Sequence, residues 1–184
     1  MRRHLTLVLV ILAAPSLLGA PPKTAATPAF ADVLGWREAR WGMTRAELVR
    51  LFPAAAPPLP LDVAMPTPTP GHGSLVLAVV EIAGRTYSAT GSYDDARGLY
   101  AVSLVPSKER LGFSEAHAMA SSLEAALSEK YGPPHVRQDS TFPKRIWRFP
   151  STRIQLMFLG VAEVDHGGLV LTYSRSDPSA GKNL

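Results

Sequence analysis

The chain has 184 residues, 46% of them hydrophobic and 18% charged, with a mean hydropathy of +0.07. That balance suits a packed core and argues against general disorder. Of the formal charge of +4, Arg2, Arg3 and Lys23 supply three units without an acid in residues 1–31, so the remainder is nearly neutral and no nucleic-acid partner is expected. Cysteine is absent, which excludes disulfides, thiolate catalysis and cysteine-ligated zinc or iron–sulfur centres.

The N-terminus reads as an export leader. Arg2 and Arg3 precede the apolar run Leu5–Leu18, which has the length of a signal-peptide core and is too short to span a bilayer comfortably. Ala29-Phe30-Ala31 places small residues before a cut at Asp32; Ala20 and Ala26 offer alternatives, although Pro21 hinders the first. An uncleaved anchor remains open. Alanine at position 20 stands where a lipobox needs cysteine, so no lipid anchor is expected. Residues 1–31 form this leader with its Pro/Ala-rich end, 32–175 a single domain, and 176–184 a flexible tail. The mature chain is then periplasmic or secreted, with no transmembrane helix after the leader.

Thr44-Arg45-Ala46-Glu47 is a capping box, with Met43 and Leu48 as a hydrophobic staple, and it opens a helix that Pro53 ends after Phe52. A proline tract at 57–70 follows and predicts an extended loop. Ser74–Ile82 is a continuous apolar strand. Arg85–Tyr93 alternates, with Tyr87, Ala89, Gly91 and Tyr93 on one face and Thr86, Ser88, Thr90 and Ser92 on the other. Asp94–Gly98 predicts a turn, and Leu99–Val105 a third strand. A longer helix spans Ser114–Tyr131, its apolar stripe carried by Ala116, Met119, Ala120, Leu123 and Leu127, and Gly132-Pro133-Pro134 stops it. Thr141–Phe149, Arg153–Leu159 and Leu169–Ser174 are the remaining strands, joined by turns at Pro150-Ser151 and 165–168.

The expected fold is therefore α+β: tandem helix-plus-three-strand units forming one antiparallel sheet with two helices on one face. Each half alone would have a marginal core, which favours one continuous sheet. Trp41 and Tyr131, each beside a glycine, are expected to anchor the helix ends on the sheet.

Trp41-Gly42-Met43-Thr44 with Glu47-Leu48, and Lys130-Tyr131-Gly132-Pro133-Pro134 followed by a strand around Trp147, resemble motifs of small exported bacterial proteins of mostly unknown function. The helix-plus-meander unit is also similar to β-lactamase-inhibitor-type repeats and to small lipoproteins of outer-membrane assembly. The resemblance implies an envelope protein with a structural or binding role; fold likeness alone carries no function.

Chemistry is sparse. His72, His117, His135 and His166 lack the paired spacing of a helical metal site, and no metal ligand is assigned. There is no nucleophile elbow, no Ser-x-x-Lys motif opening a core helix and no phosphate-cradling loop, so no catalytic residue and no cofactor is assigned. The candidate binding residues are Lys144, Arg145, Arg148 and Arg153, a basic cluster interleaved with Ile146, Trp147 and Phe149. Strand alternation sets Lys144, Ile146 and Arg148 on one face and Arg145, Trp147 and Phe149 on the other. Arg37, Arg40 and Arg45 near Trp36 and Trp41 form a second cluster. The leading expectation is a non-enzymatic envelope protein that binds another protein; a secreted hydrolase with a site scattered in sequence, or an inhibitor of a secreted enzyme, are the alternatives.

Overall fold

The computed structural model describes residues 31–56, 71–108, 110–137 and 142–176. The leader up to residue 30, the proline tract 57–70 and the tail 177–184 lie outside the described residues, as does Thr141.

The chain enters through a short hairpin, β1 (Gly35–Trp36) and β2 (Ala39–Arg40), followed by α1 (Arg45–Leu51). The capping box forms: the Thr44 hydroxyl accepts from the Glu47 N–H, and the Glu47 carboxylate accepts from the Thr44 N–H at 2.8 Å. Leu48, fully buried, is the residue through which α1 meets the core.

Three antiparallel strands follow, β3 (His72–Ile82), β4 (Arg85–Asp94) and β5 (Gly98–Pro106), then α2 (Phe113–Tyr131). After α2 come β6 (His135–Arg137), β7 (Lys144–Arg148), β8 (Thr152–Val161) and β9 (His166–Arg175). One seven-stranded antiparallel sheet results, in the order β3-β4-β5-β9-β8-β7-β6. A three-strand meander, β3–β5, and a four-strand one, β6–β9, meet at β5 and β9, so the second half carries one strand more than the sequence expectation.

The helix ends differ from the sequence expectation at one place. Helix α2 begins at Phe113 after Gly112 rather than at Ser114, and its cap arrives from far along the chain: the Asp165 carboxylate accepts from the Phe113 N–H at 2.9 Å. Asp165 itself adopts a left-handed conformation, φ 44°, in the turn between β8 and β9. At the other end, Lys130 and Tyr131 close the helix, and Gly132 turns the chain away with φ 78°.

Cross-strand partners share a face, so the register sorts every side chain. One face carries Leu75 and Leu77 of β3, Tyr87 and Ala89 of β4, Val102 and Leu104 of β5, Leu171 and Tyr173 of β9, Ile154 and Leu156 of β8, and Trp147 of β7, all buried. Helix α2 lies over this face against β8 and β9, with Ala116, Met119, Ala120, Leu123 and Leu127 turned inward. Full burial of a side chain such as Leu123 contributes about 2 kcal/mol. Leu48 of α1 joins the same core cluster. The fit is close where α2 crosses β9: a Cβ on Gly167 would stand 2.6 Å from the Ala116 Cβ.

Among the described residues, no helix lies over the opposite face. Register links one complete row across it: His135, Ile146, Gln155, Thr172, Ser103, Thr90 and Val76. A second row runs Arg148, Arg153, Ser174, Ala101, Ser92 and Ser74. Small hydroxyl side chains occupy the middle of the sheet, and long basic ones the β7–β8 end.

Candidate functional site

Alternation sets the faces of β7, which carries most of the basic cluster: Trp147 faces the core, so its neighbours Ile146 and Arg148 face away. Trp147 is buried and its indole N–H donates to the Gly132 carbonyl at 2.8 Å, which ties β7 to the end of α2. That bond fixes the orientation of the whole strand.

Lys144, Arg148 and Arg153 all lie on the uncovered face. Arg148 and Arg153 are direct cross-strand partners, and like charges placed opposite one another destabilise a sheet. One Arg153 nitrogen donates to Gln155 Oε1 at 2.8 Å, whereas its Nε is buried without a hydrogen-bond partner. Burial, and then the charges of Arg148 and Arg137, pull the Arg153 guanidinium below its ordinary value. Ile146 is fully buried on this face, although no helix among the described residues covers it.

Arg145 is separated from the other three. It lies on the helix-covered face opposite Leu156, and its Nε donates to Glu124 of α2 at 2.9 Å. This pair clips the outer flank of α2 to the sheet. The sequence cluster thus divides into a three-residue basic patch on the open face and one structural cation beneath the helix.

The histidines do not assemble. His117 stacks beside Phe113 and meets Phe158 edge-on at 5.5 Å. A small cleft of about 130 Å³ holds His117, Ser121 and Glu124 with Arg145 and Phe158. No hydrogen bond joins these three helix residues among the described residues, and Glu124 is engaged by Arg145, so the set has no general base poised on a nucleophile. Asp165, next to His166, caps α2 instead. Among the described residues no three His, Asp or Glu side chains converge on a point that could hold a metal.

Glu115 and Asp94 have structural partners. Glu115 is bridged by Lys108 at 2.7 Å and Arg85 at 3.4 Å. These contacts, the Lys108 hydrogen bond foremost, hold its carboxyl below the usual range against the opposing effect of burial. Asp94 sits in the β4–β5 turn, where burial pushes its carboxyl up, but the Arg97 N–H and guanidinium and the Ala96 N–H outweigh that and bring it below its ordinary value.

Trp41 and Tyr131 occupy the junction between the N-terminal hairpin, α2 and the sheet. The Trp41 indole N–H donates to the Thr152 hydroxyl at 2.6 Å, and that hydroxyl donates in turn to the Val33 carbonyl. Tyr131 packs edge-on against Phe149 at 5.3 Å. Both rings are half-buried rather than enclosed. Trp36 and Trp147 are the enclosed tryptophans.

No protein-family model matches the chain, and no curated protein or solved structure is significantly similar to it.

Proposed function

We propose that the chain is an exported, non-enzymatic protein-binding module, built as tandem helix-plus-three-strand units, whose open sheet face docks on an acidic surface of an envelope or secreted partner. The observation that carries this is the Lys144–Arg148–Arg153 patch: three cations on one face, two of them directly opposed, with no carboxylate partner among the described residues. A protein stable on its own does not need that repulsion; an acidic partner would relieve it. The Ser/Thr-rich rows beside the patch present a broad, polar, small-side-chain surface suited to a large footprint rather than to a pocket.

A photo-crosslinking amino acid at Thr90 or Gln155, compared with one at the outward α2 position Ala126, tests the reading in cells. Protein adducts from the two sheet positions, lost on charge reversal at Arg148 and Arg153, are the expected result. Adducts confined to Ala126, or none at all, would overturn it. Mass spectrometry of the purified protein tests export, with an N-terminus at Asp32 or slightly upstream expected and an intact Met1 in the cytosolic fraction opposing it.

A further inference from the structure

The second basic cluster acquires a cavity that the sequence alone does not reveal. The β1–β2 hairpin, the last turn of α2 and the end of β9 enclose a cleft of about 420 Å³, within the size range of small-ligand sites. Three cations, Arg37, Arg40 and Lys130, and three aromatic rings, Trp36, Tyr131 and Tyr173, line it. The cations are exposed, while Trp36 and Tyr173 are buried and Tyr131 is half-buried. The rings therefore form a floor and the charges a rim.

We infer that this cleft binds a small organic anion carrying a flat ring, the ring beside the half-buried Tyr131 at the edge of the Trp36 and Tyr173 floor and the anionic group toward Arg37, Arg40 and Lys130. Local construction supports the assignment. Arg37 takes a left-handed backbone conformation, φ 53°, rare for a residue with a side chain, and its guanidinium stands 5.7 Å from the Trp36 ring centre. Gly35 permits the tight hairpin that sets this up, since a Cβ there would run into the Ala39 carbonyl. Lys130 lies 5.0 Å over the Tyr131 ring. Among the described residues, the one carboxylate that meets Arg37 is Glu38, at a loose 3.9 Å, with both side chains well exposed. The single carboxylate lining the cleft, Asp32, accepts from the Ser151 N–H at 3.0 Å. Charge on the lining is thus positive in excess, and a planar guanidinium pairs with carboxylate, sulfonate or phosphate oxygens in forked geometry. Burial, and then the adjoining Tyr131 hydroxyl, raise the Tyr173 phenol, so it remains a neutral hydrogen-bonding group at the floor. This site lies on the helix-covered side of the sheet and is independent of the open-face docking surface.

Anilinonaphthalene sulfonate, an aryl anion whose emission rises on transfer from water, is the probe, with unsulfonated anilinonaphthalene as the neutral control. Full-length protein is titrated by fluorescence and calorimetry, and circular-dichroism melts verify that each variant folds. Saturable one-to-one binding to wild type is expected. The double variant Arg37→Gln/Arg40→Gln should weaken it about tenfold or more, the loss of two charge-assisted contacts, and Lys130→Gln should weaken it further. Arg148→Gln and Arg153→Gln, on the other face, should leave it unchanged. Non-saturable binding, equal affinity for the neutral control, or loss only in the Arg148 and Arg153 variants would overturn the inference.

Discussion

Gly167 is the position where a single methyl group tests the packing of α2 on the sheet. Its backbone is outside the left-handed region, so alanine there meets no conformational strain and any effect is steric. The added Cβ would stand 2.6 Å from the Ala116 Cβ, 2.8 Å from the Gly112 oxygen and 3.1 Å from the Phe113 Cα. Two of those three atoms are backbone, which cannot rotate aside, so the first turn of α2 must lift from β9. Overpacking of this kind costs about 1–3 kcal/mol, and the backbone contacts place Gly167→Ala in the upper half of that range. For a domain of this size the melting temperature should fall by about 4–12 °C. The companion variant Ala116→Gly removes one clashing partner at a cost of about 1 kcal/mol in helix propensity. Combined with Gly167→Ala, it should destabilise by less than the sum of the single effects, by about 1 kcal/mol, because one methyl then occupies the space of the other. Calorimetric melts of the four proteins measure this cycle. A wild-type melt for Gly167→Ala, or strict additivity in the double variant, would refute the account of the helix–sheet contact.

Three other outcomes are expected. Thr152→Val keeps the side-chain shape but strands the Trp41 indole N–H and the Val33 carbonyl; the urea midpoint should fall by the equivalent of about 1–3 kcal/mol with an unchanged m-value. Asp94 is held below its ordinary value in the folded chain, so its contribution is present above the unfolded carboxylate range and is lost as pH falls through the lowered value. Asp94→Asn should therefore reduce stability at neutral pH and flatten the acid limb of a stability-against-pH profile; an unaltered acid limb would contradict this. Arg148→Gln removes one of two directly opposed cations, so the isolated protein should gain about 0.2–1 kcal/mol, read from its melting curve, while binding of the proposed acidic partner weakens.

Elements whose determinants are local were legible in the sequence. The Thr44–Glu47 box and the inward stripe of α2 each need only neighbours within two helical turns, and both form as expected. The Arg85–Tyr93 alternation assigns the two faces of β4 correctly because alternation is a property of the strand itself. What escaped has determinants elsewhere. The β1 and β2 strands have two residues each, too few to show a period. Strand β6 is three exposed residues whose only evidence is pairing with β7. The true start of α2, at Phe113, is capped by Asp165, 52 residues away, so the local sequence placed it one residue late, at Ser114.

The same division separates the two candidate sites. Lys144, Arg148 and Arg153 could be grouped from sequence because a hairpin folding about Pro150-Ser151 brings Arg148 opposite Arg153, and alternation alone removes Arg145 to the covered face. The cleft beside Trp36 is assembled from residues near 37, 130 and 173, and its floor includes Tyr173, which the strand pattern marks only as core. Arg37 and Arg40 were grouped with Trp36 from sequence, but Lys130 had no reason to join them, and Arg45 none to leave, until the cleft between the hairpin and the end of α2 was seen. The sheet explains why both sites can coexist. Helix α2 lies on one side of the single antiparallel layer, and among the described residues no helix covers the other side, whose exposed groups need solvation that its Ser/Thr rows supply. Hydroxyls alone would satisfy that need. The opposed arginines exceed it at a cost in stability, and the structural requirement of solvation does not account for them, whereas an acidic partner does.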